Sequence, residues 1–175
     1  IVSVPRKIAP MILEDCIAKK VGGAVFFTSG FAETSTEEGI RLQEQLTRRA
    51  READFMLVGP NCMGIHVPKS RLSTITDTMG EPGRAAFVAQ SGGHAMHMIE
   101  FAAEMDLRLS KVISFGNAMV LEGTDYLEYL AADPDTEVIG MYLEGVKDGR
   151  RLMEVVREVN RTKPVIVWKG GLTEL

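Results

Sequence analysis

Short runs of β-branched and aromatic residues alternate with amphipathic stretches along the whole chain. The apolar runs predict strands, because a run of four to eight apolar residues between turn signals is typical of a buried strand. The amphipathic stretches predict helices, since their apolar residues recur at about one helical turn. Strands that are apolar on both faces and separated by helices indicate a parallel sheet covered on both sides, which is the α/β class.

The first part of the chain alternates predicted strands and helices, and the second part repeats the pattern. Up to residue 58 we predict strands at 1–4, 24–28 and 55–58 and helices at 9–20 and 36–52. After residue 83 we predict strands at 84–89, 111–115, 137–142 and 164–168 and helices at 93–105, 124–132 and 148–161. These last four strands start 27, 26 and 27 residues apart, which is the length of a repeated strand–helix unit.

Residues 59–83 interrupt this rhythm. The segment contains three prolines and no clear periodicity, so it predicts an irregular crossing between two units. We therefore divide the chain into a first α/β unit (residues 1–66), a linker (67–83) and a second parallel-sheet unit (84–175). The first unit has no opening Gly-rich turn, and little chain follows the last strand, so we expect the chain to be the middle of a longer protein.

The composition describes an ordinary soluble globular protein. Of 175 residues, 45% are hydrophobic and 25% charged, the net charge is −4 and the pI is about 5.5. This charge argues against a nucleic-acid-binding protein, which would carry a basic face. No apolar run approaches the roughly 20 residues that a membrane-spanning helix needs, so we expect no membrane insertion. Two cysteines make no disulfide framework and are typical of the reducing cytoplasm, where we expect the protein to reside.

Polar and small residues follow each strand of the first unit. Ligands of open parallel sheets bind beyond the carboxyl ends of the strands, so these residues are candidates for a binding site. They are Pro5, Arg6 and Lys7 after the first strand, Ser29, Gly30 and Phe31 after the second, and Gly59 to Gly64, with Asn61, after the third. Two cations, a small turn and an Asn suit a phosphorylated ligand. The equally weighted alternative is that the cations are merely solvated and Gly30 only permits a turn.

In the second unit the first strand leads through Gln90, Ser91 and Gly92 into a helix. Free backbone N–H groups at such a helix start form an anion site, typically for a phosphoryl group. The simpler interpretation is that Ser91 only caps the helix, and the two are compatible. Glu144 ends another strand at the same edge, where it either orients an imidazole or is simply solvated. Asn117 lies at this edge too, and its simpler interpretation is a turn residue in the left-handed conformation.

The histidines and cysteines do not form a recognisable catalytic set. His66 falls in the crossing segment, His97 lies within a helix, and we expect His94, in the first helical turn, to face solvent. Cys62 has no base at a readable spacing, so we interpret it as a buried thiol. The ligands of a zinc site are also missing, and we expect no metal bound by this chain alone.

Several of these segments, in this order, resemble nucleoside-diphosphate-forming acyl-CoA synthetases, the superfamily that includes the succinyl-CoA synthetase α subunit. The similarity covers essentially the whole chain. The segments are GPNCMGI at 59–65, GRAAFVAQSGG at 83–93, SFGNA at 114–118 and DYLEYLAADPDTEVIGMYLEG at 125–145. The ordered pair of GPNC and a strand that ends in QSG is a fairly specific signal of this superfamily. Neither motif is specific by itself.

The resemblance implies a partial Rossmann-like CoA-binding domain followed by a flavodoxin-like, succinyl-CoA ligase-like domain. It implies that two loops and one amide contact coenzyme A, namely Val4, Pro5, Arg6 and Lys7, then Thr28, Ser29 and Gly30, and Asn61 beside the thioester. It further implies that Ser91 and Gly92 receive a phosphoryl group and that Glu144 steadies a phosphohistidine.

The reaction implied by the resemblance interconverts acyl-CoA, phosphate and a nucleoside diphosphate with a free acid, CoA and a nucleoside triphosphate. It passes through an acyl phosphate and a phosphorylated histidine. ATP or ADP with Mg²⁺ would bind an ATP-grasp subunit or a fused domain outside this chain, and a homo-oligomer is possible. The reactive histidine of the family lies beyond the loop that begins at residues 170–174, and no histidine of this chain matches it.

Two other functions stay open from the sequence. A ligase-like regulatory module of a protein acetyltransferase would bind small molecules without ligating them. A plain flavodoxin-like domain would bind a flavin or a nucleotide at the Ser91 turn, although only Phe115 and Trp168 lie near that edge to stack on a flavin.

The missing histidine leads to a first prediction. The isolated 175-residue chain should give no CoA-dependent turnover of ADP or ATP in a coupled assay, because it lacks the phosphoryl carrier. Any measurable turnover would contradict the assignment of the carrier to a segment outside this chain.

Overall fold

The computed structural model describes residues 1–77 and 79–171. In chain order its helices and strands are α1 (Ala9–Ala18), β1 (Gly23–Val25), α2 (Glu37–Glu52), β2 (Met56–Val58), β3 (Gly64–Val67), β4 (Leu72–Ser73), β5 (Ala85–Ala89), α3 (Gly92–Glu104), β6 (Leu109–Ser114), α4 (Gly123–Ala132), β7 (Val138–Leu143), α5 (Gly149–Val159) and β8 (Val165–Lys169). Short 3₁₀ helices occupy Ala32–Thr34 and Pro68–Ser70. The α/β class predicted from the alternating pattern is confirmed.

A small parallel sheet forms the core of the first unit. β1 pairs in parallel with β2, and the predicted first strand is reduced to one parallel bridge between Val2 and Phe26. Helices α1 and α2 cover this sheet with apolar side chains. The buried cluster includes Leu13, Phe26, Phe31, Leu46 and Leu57.

The second sheet has the strand order β4-β3-β6-β5-β7-β8. Strands β5 to β8 run parallel to one another, as the strand–helix repeat predicts. Every residue of the central strand β6 is buried, whereas most of the edge strand β8 is exposed. Helix α3 packs on one face of the sheet and α4 and α5 on the other, so apolar clusters lie on both faces.

Strands β3 and β4 lie in the segment that we predicted to be irregular, and that prediction is wrong. β3 pairs antiparallel with both β4 and β6, and so adds two antiparallel strands to the parallel sheet. The strands are only four and two residues long. Their partners are set by tertiary contact rather than by a local hydrophobic period, so the sequence pattern carries little signal for them.

The loop expected to begin at residues 170–174 runs into residues 172–175, which lie outside the described residues. Within the two described ranges, no helix is long and apolar enough to cross a bilayer.

A buried ion pair ties β6 to the loop after α4. Lys111 Nζ lies 2.5 Å from Asp133 Oδ2, and the two side chains are only 10% and 8% exposed. Thr136 donates a hydrogen bond to the same carboxylate oxygen at 2.6 Å. Burial alone would raise the pKa of Asp133, but the hydrogen bonds from Lys111 and Thr136 outweigh it and lower that pKa.

We predict that Asp133→Asn lowers the free energy of unfolding by about 3 kcal/mol, because it leaves the Lys111 ammonium buried without a counter-charge. Equilibrium urea unfolding at pH 7 measures this. Asp135→Asn is the matched control, since Asp135 pairs with the exposed Lys69 and should contribute at most about 1 kcal/mol. Equal losses for the two variants would contradict the prediction.

The same ion pair predicts a pH dependence. A carboxylate whose pKa is lower in the folded state stabilises the fold above its unfolded pKa of about 4, and that contribution is lost as the pH falls through the folded value. The wild-type chain should therefore lose stability below about pH 4 more steeply than Asp133→Asn does.

Candidate functional site

The carboxyl ends of the strands in both sheets open onto one cavity of about 600 Å³. It is lined by Phe27, Ser29, Glu33, Asn61, Cys62, Met63, Gln90, Ser91, Gly92, Gly93, Gly116, Asn117 and Glu144. Candidate residues from both units therefore meet here: Ser29, Asn61, Gln90, Ser91, Gly92, Asn117 and Glu144, with Met63 from the segment 59–64. Glu33 also lines the cavity, although the sequence pattern did not indicate it.

A second, shallower cavity of about 380 Å³ adjoins the first through Phe27 and Ser29. Its other lining residues include Val4, Pro5, Arg6 and Thr28. Lys7 and Gly30, which belong to the same candidate loops, line neither cavity. The candidate CoA-contacting residues that line a cavity are thus divided between these two neighbouring cavities.

Hydrogen bonds hold the two loops of the smaller cavity together. The Thr28 hydroxyl donates to the Val4 carbonyl oxygen at 2.8 Å. Arg6 donates to the Gly30 carbonyl oxygen at 2.6 Å and forms an ion pair with Glu38. A Cβ atom on Gly30 would lie 2.9 Å from Arg6 Cδ, so the glycine allows this close approach. Arg6 therefore links the two loops, and its charge is balanced by Glu38 rather than by solvent alone.

Ser91 and Gly92 begin helix α3 at the larger cavity. The Ser91 side chain accepts a hydrogen bond from the N–H of His94 at 3.4 Å, so Ser91 caps the helix as expected. The first N–H groups of a helix have no partner within it and form its positive end. A Cβ atom on Gly92 would lie 2.8 Å from Met63 Cγ, so glycine allows Met63 to pack closely against the start of the helix.

Glu144 stands opposite this helix start, on the loop after β7. The Gln90 Oε1 atom accepts the N–H groups of Glu144 at 2.8 Å and Gly145 at 2.9 Å, which ties the ends of β5 and β7 together. Burial and the nearby Glu144 carboxylate raise the pKa of the Tyr142 hydroxyl. Glu144 itself is exposed and lines the cavity, and its carboxylate also accepts a hydrogen bond from the Tyr142 hydroxyl.

Four side chains form a hydrogen-bonded network across the boundary between the units. Asn61 donates to Asn117 Oδ1 at 3.3 Å, and Asn117 Nδ2 donates to Glu33 at 2.5 Å and to Gln43 at 2.9 Å. The positive φ angles of this region belong to Asn61, Gly116 and Ala118, so the interpretation of Asn117 as a left-handed turn residue is wrong. The only sequence signal for Glu33 is that it lies three residues after Gly30. From that position its carboxylate accepts the backbone N–H of the glycine.

The chain's histidines lie outside this cavity. His66 is buried in β3, with Nδ1 at 3.0 Å from Ser73 Oγ, and His97 is exposed on α3. The prediction that His94 faces solvent is wrong, because its ring stacks on Tyr142 at a centroid distance of 3.9 Å and meets the edge of Trp168. The imidazole therefore packs between α3 and the aromatic side chains of β7 and β8.

Two side chains considered for other chemistry, the Cys62 thiol and the Phe115 ring, are both buried. Burial raises the pKa of the Cys62 thiol to about 12, so it stays protonated and is not a nucleophile near neutral pH. This confirms the buried thiol. Phe115 is buried in the core against Tyr126 and cannot stack on a flavin. Among residues 1–77 and 79–171 no group of three His, Cys, Asp or Glu side chains is arranged to hold a metal ion.

Two protein-family models match the chain, one for each unit. Residues 82–175 match the model of the succinyl-CoA ligase-like flavodoxin domain. The chain belongs to this family. Residues 1–68 match the model of a CoA-binding domain, so the ligase-like domain follows a CoA-binding domain in the order that the motifs predict.

Relatives of this ligase-like chain are similar over its whole length. It is 41% identical to an ADP-forming acetate–CoA ligase I of Archaeoglobus fulgidus, over 99% of this chain and 25% of that protein. It is 38% identical to the α subunit of an ADP-forming acetate–CoA ligase II of Pyrococcus furiosus, over 99% of this chain and 38% of the subunit. The chain thus spans between a quarter and two fifths of the length of these relatives.

A solved structure shows the same fold. The acetyl-coenzyme A synthetase 1 of Candidatus Korarchaeum cryptofilum, in complex with phosphate and ADP, superposes with a TM-score of 0.90 at 34% identity. The match covers 98% of this chain and 37% of that one. The two-unit α/β architecture that the motifs predict is therefore confirmed.

The turn at Gly116 yields a prediction about the site. Gly116 has a φ of +54°, and a Cβ atom there would overlap the carbonyl oxygens of Pro60 and Asn61. Gly116→Ala should lower the free energy of unfolding by roughly 2 kcal/mol or more, through backbone strain and the clash. Urea unfolding measures the loss. Gly149→Ala is the control, because a Cβ atom at Gly149 meets nothing within 4 Å, and it should change stability by less than about 1 kcal/mol.

Proposed function

We propose that this chain is the CoA-binding and phosphoryl-handling part of an ADP-forming acyl-CoA ligase. The observation that carries the proposal is the single cavity in which a helix N-terminus at Ser91 and Gly92, the carboxylate of Glu144 and the amide of Asn61 meet. Residues from the CoA-binding unit and from the ligase-like unit thus face one reaction space. Acetate is the first acid to test, since the relatives at 41% and 38% identity are named acetate–CoA ligases.

The proposed chemistry begins with phosphate and acyl-CoA. A phosphate oxygen attacks the thioester carbonyl carbon, the carbon–sulfur bond breaks, and the CoA thiolate leaves and takes up a proton. The N–H groups at the start of α3 stabilise the negative charge of the phosphate and of the acyl phosphate that forms. Asn61 and the loops of the smaller cavity, with Val4, Pro5, Arg6, Thr28 and Ser29, hold CoA on the other side.

The second stage moves the phosphoryl group. A histidine nitrogen attacks phosphorus, the bond to the acyl oxygen breaks and the free carboxylate leaves, and the phosphohistidine then passes its phosphoryl group to ADP. Glu144 would receive an N–H hydrogen bond from this imidazole and orient it, because a carboxylate only accepts. The described cavity contains no histidine, so the carrier is contributed from outside its lining residues. An ATP-grasp domain or subunit would supply nucleotide and Mg²⁺.

The test is phosphorylation of the whole gene product. Incubation with γ-labelled ATP should give an acid-labile, base-stable phosphoryl group that CoA together with acetate discharges. Glu144→Ala should lower the labelling rate by roughly a hundredfold, as loss of one electrostatic partner at a reacting group does. Ser91→Leu should also lower it, because the larger side chain fills the space before the helix N-terminus.

Glu137→Ala is the matched control for Glu144. Glu137 precedes the opposite end of the same strand and pairs with Arg84 on the surface, so its loss should leave labelling unchanged. Absence of any label on the wild-type protein, while CoA still binds, would reject the ligase and favour the regulatory module instead.

A further inference from the structure

The side chain of Met63 lines the larger cavity directly beside the start of α3. We infer that Met63 is a specificity-determining residue of the ligase, because its side chain limits the size of the acyl group that this cavity accepts. The inference rests on the proposed function, since it requires that CoA and phosphate meet in the cavity. It concerns the alkyl part of the acid, which takes no part in the bonds that form and break.

The larger cavity is apolar on one side only. Among its lining residues in the described chain, apolar side chains come from Phe27, Cys62 and Met63. Cys62 is only 7% exposed, so Phe27 and Met63 present most of this apolar surface. Phe27 also reaches the residue after Met63, because a Cβ atom on Gly64 would lie 3.0 Å from Phe27 Cε1. The apolar wall is therefore contributed by the first unit, and the other lining residues are polar or glycine.

Met63 is held at a fixed place against the start of α3. Its backbone N–H donates to Ser114 Oγ at 3.1 Å, and its carbonyl oxygen accepts the Thr74 hydroxyl at 2.8 Å. A Cβ atom on Gly92 would lie 2.8 Å from Met63 Cγ and 3.2 Å from Sδ, so the side chain already touches the helix start. The half-buried side chain also packs against the apolar cluster that α3 forms with the sheet. The distance of this wall from the helix N-terminus is thus set by the fold.

The proposed chemistry places the acyl group next to Met63. CoA enters the larger cavity from the smaller one, past their shared lining residues Phe27 and Ser29, and the phosphate binds at the start of α3. The carbonyl carbon of the thioester must lie between the two, within reach of a phosphate oxygen. The apolar residues along this path are Phe27 and Met63. An alkyl group gains free energy by packing against them, and would gain none against a carboxylate such as Glu33.

The length of the Met63 side chain then sets the space for the alkyl group. Because Cγ and Sδ already contact Gly92, the side chain has no room to withdraw toward the helix. Shortening it to alanine removes the Cγ, Sδ and Cε atoms from the wall, which gives space for about two methylene groups of the substrate. The native residue therefore favours a short acyl group, and a shorter residue should admit a longer one.

Met63→Ala tests this limit. The whole gene product is assayed for CoA- and ATP-dependent ADP formation with acetate, propionate and butyrate, and kcat/KM is compared between the acids within each variant. Each methylene group that gains an apolar contact should raise kcat/KM about fourfold. The butyrate-to-acetate ratio of kcat/KM should therefore rise roughly tenfold in Met63→Ala. An unchanged ratio would overturn the inference.

Met96→Ala is the matched control. Met96 is also a half-buried methionine and packs against the same apolar cluster, but it does not line the cavity. Its truncation should loosen the packing of α3 to a similar degree without changing the butyrate-to-acetate ratio. An equal rise of the ratio in both variants would mean that loosened packing, rather than the wall at Met63, admits the longer acid, and the inference would fail.

Two milder variants serve if alanine at this position prevents folding. Met63→Leu conserves the volume and should keep the ratio near the wild-type value. Met63→Val shortens the side chain less than alanine does and should raise the ratio about fourfold. Because the ratio is taken within one variant, it does not depend on the fraction of enzyme that is folded. If Met63 were merely structural, kcat/KM would fall equally for all three acids and the ratio would stay constant.

Two outcomes separate this inference from the proposed function. If the wild-type protein takes up no label from ATP and ligates none of the acids to CoA, both fail. If it is phosphorylated and forms acyl-CoA, but the ratio is the same in the wild type, Met63→Val and Met63→Ala, only the assignment of Met63 is wrong.

Discussion

The pairing of β3 with β6 is the constraint on which the site depends. β3 follows the last strand of the first sheet after only five residues, and it pairs antiparallel with β6 through Gly64 with Ser114 and Ile65 with Ile113. The turn that carries Asn61 is therefore held against the turn that carries Asn117. This pairing fixes the relation of the two sheets on which the shared cavity depends.

Close backbone approach strengthens the same junction. Gly116 fits against the carbonyl oxygens of Pro60 and Asn61, and the Ser114 hydroxyl accepts the Met63 N–H at 3.1 Å. These contacts leave no room for a side chain at residue 116. They bring the turn at Asn61 and the N-terminus of α3 to the same cavity.

The polar groups that line the cavity are of two kinds, those free to contact a ligand and those hydrogen-bonded within the protein. Backbone N–H groups at the start of α3 provide a positive end for an anion, and the exposed Glu144 provides an acceptor opposite to it. Two other polar side chains of the cavity are engaged within the protein: Gln90 accepts the backbone N–H of Glu144, and Glu33 accepts that of Gly30. A residue's presence at the edge of the sheet thus does not make it a ligand-binding group. Its hydrogen-bond partners decide that.

The sequence by itself determined the class of the fold and most of its elements, because hydrophobic period and strand spacing are local properties. It also pointed to Ser91, Gly92, Glu144 and Asn61, since the residues after parallel strands must meet at one edge. Only the tertiary structure decided the antiparallel strands β3 and β4, the stacking of His94 on Tyr142 and the network through Glu33, Gln43 and Asn117. These features depend on atoms from segments far apart in the chain. The direction of each hydrogen bond there is set by its neighbours rather than by its own residue type.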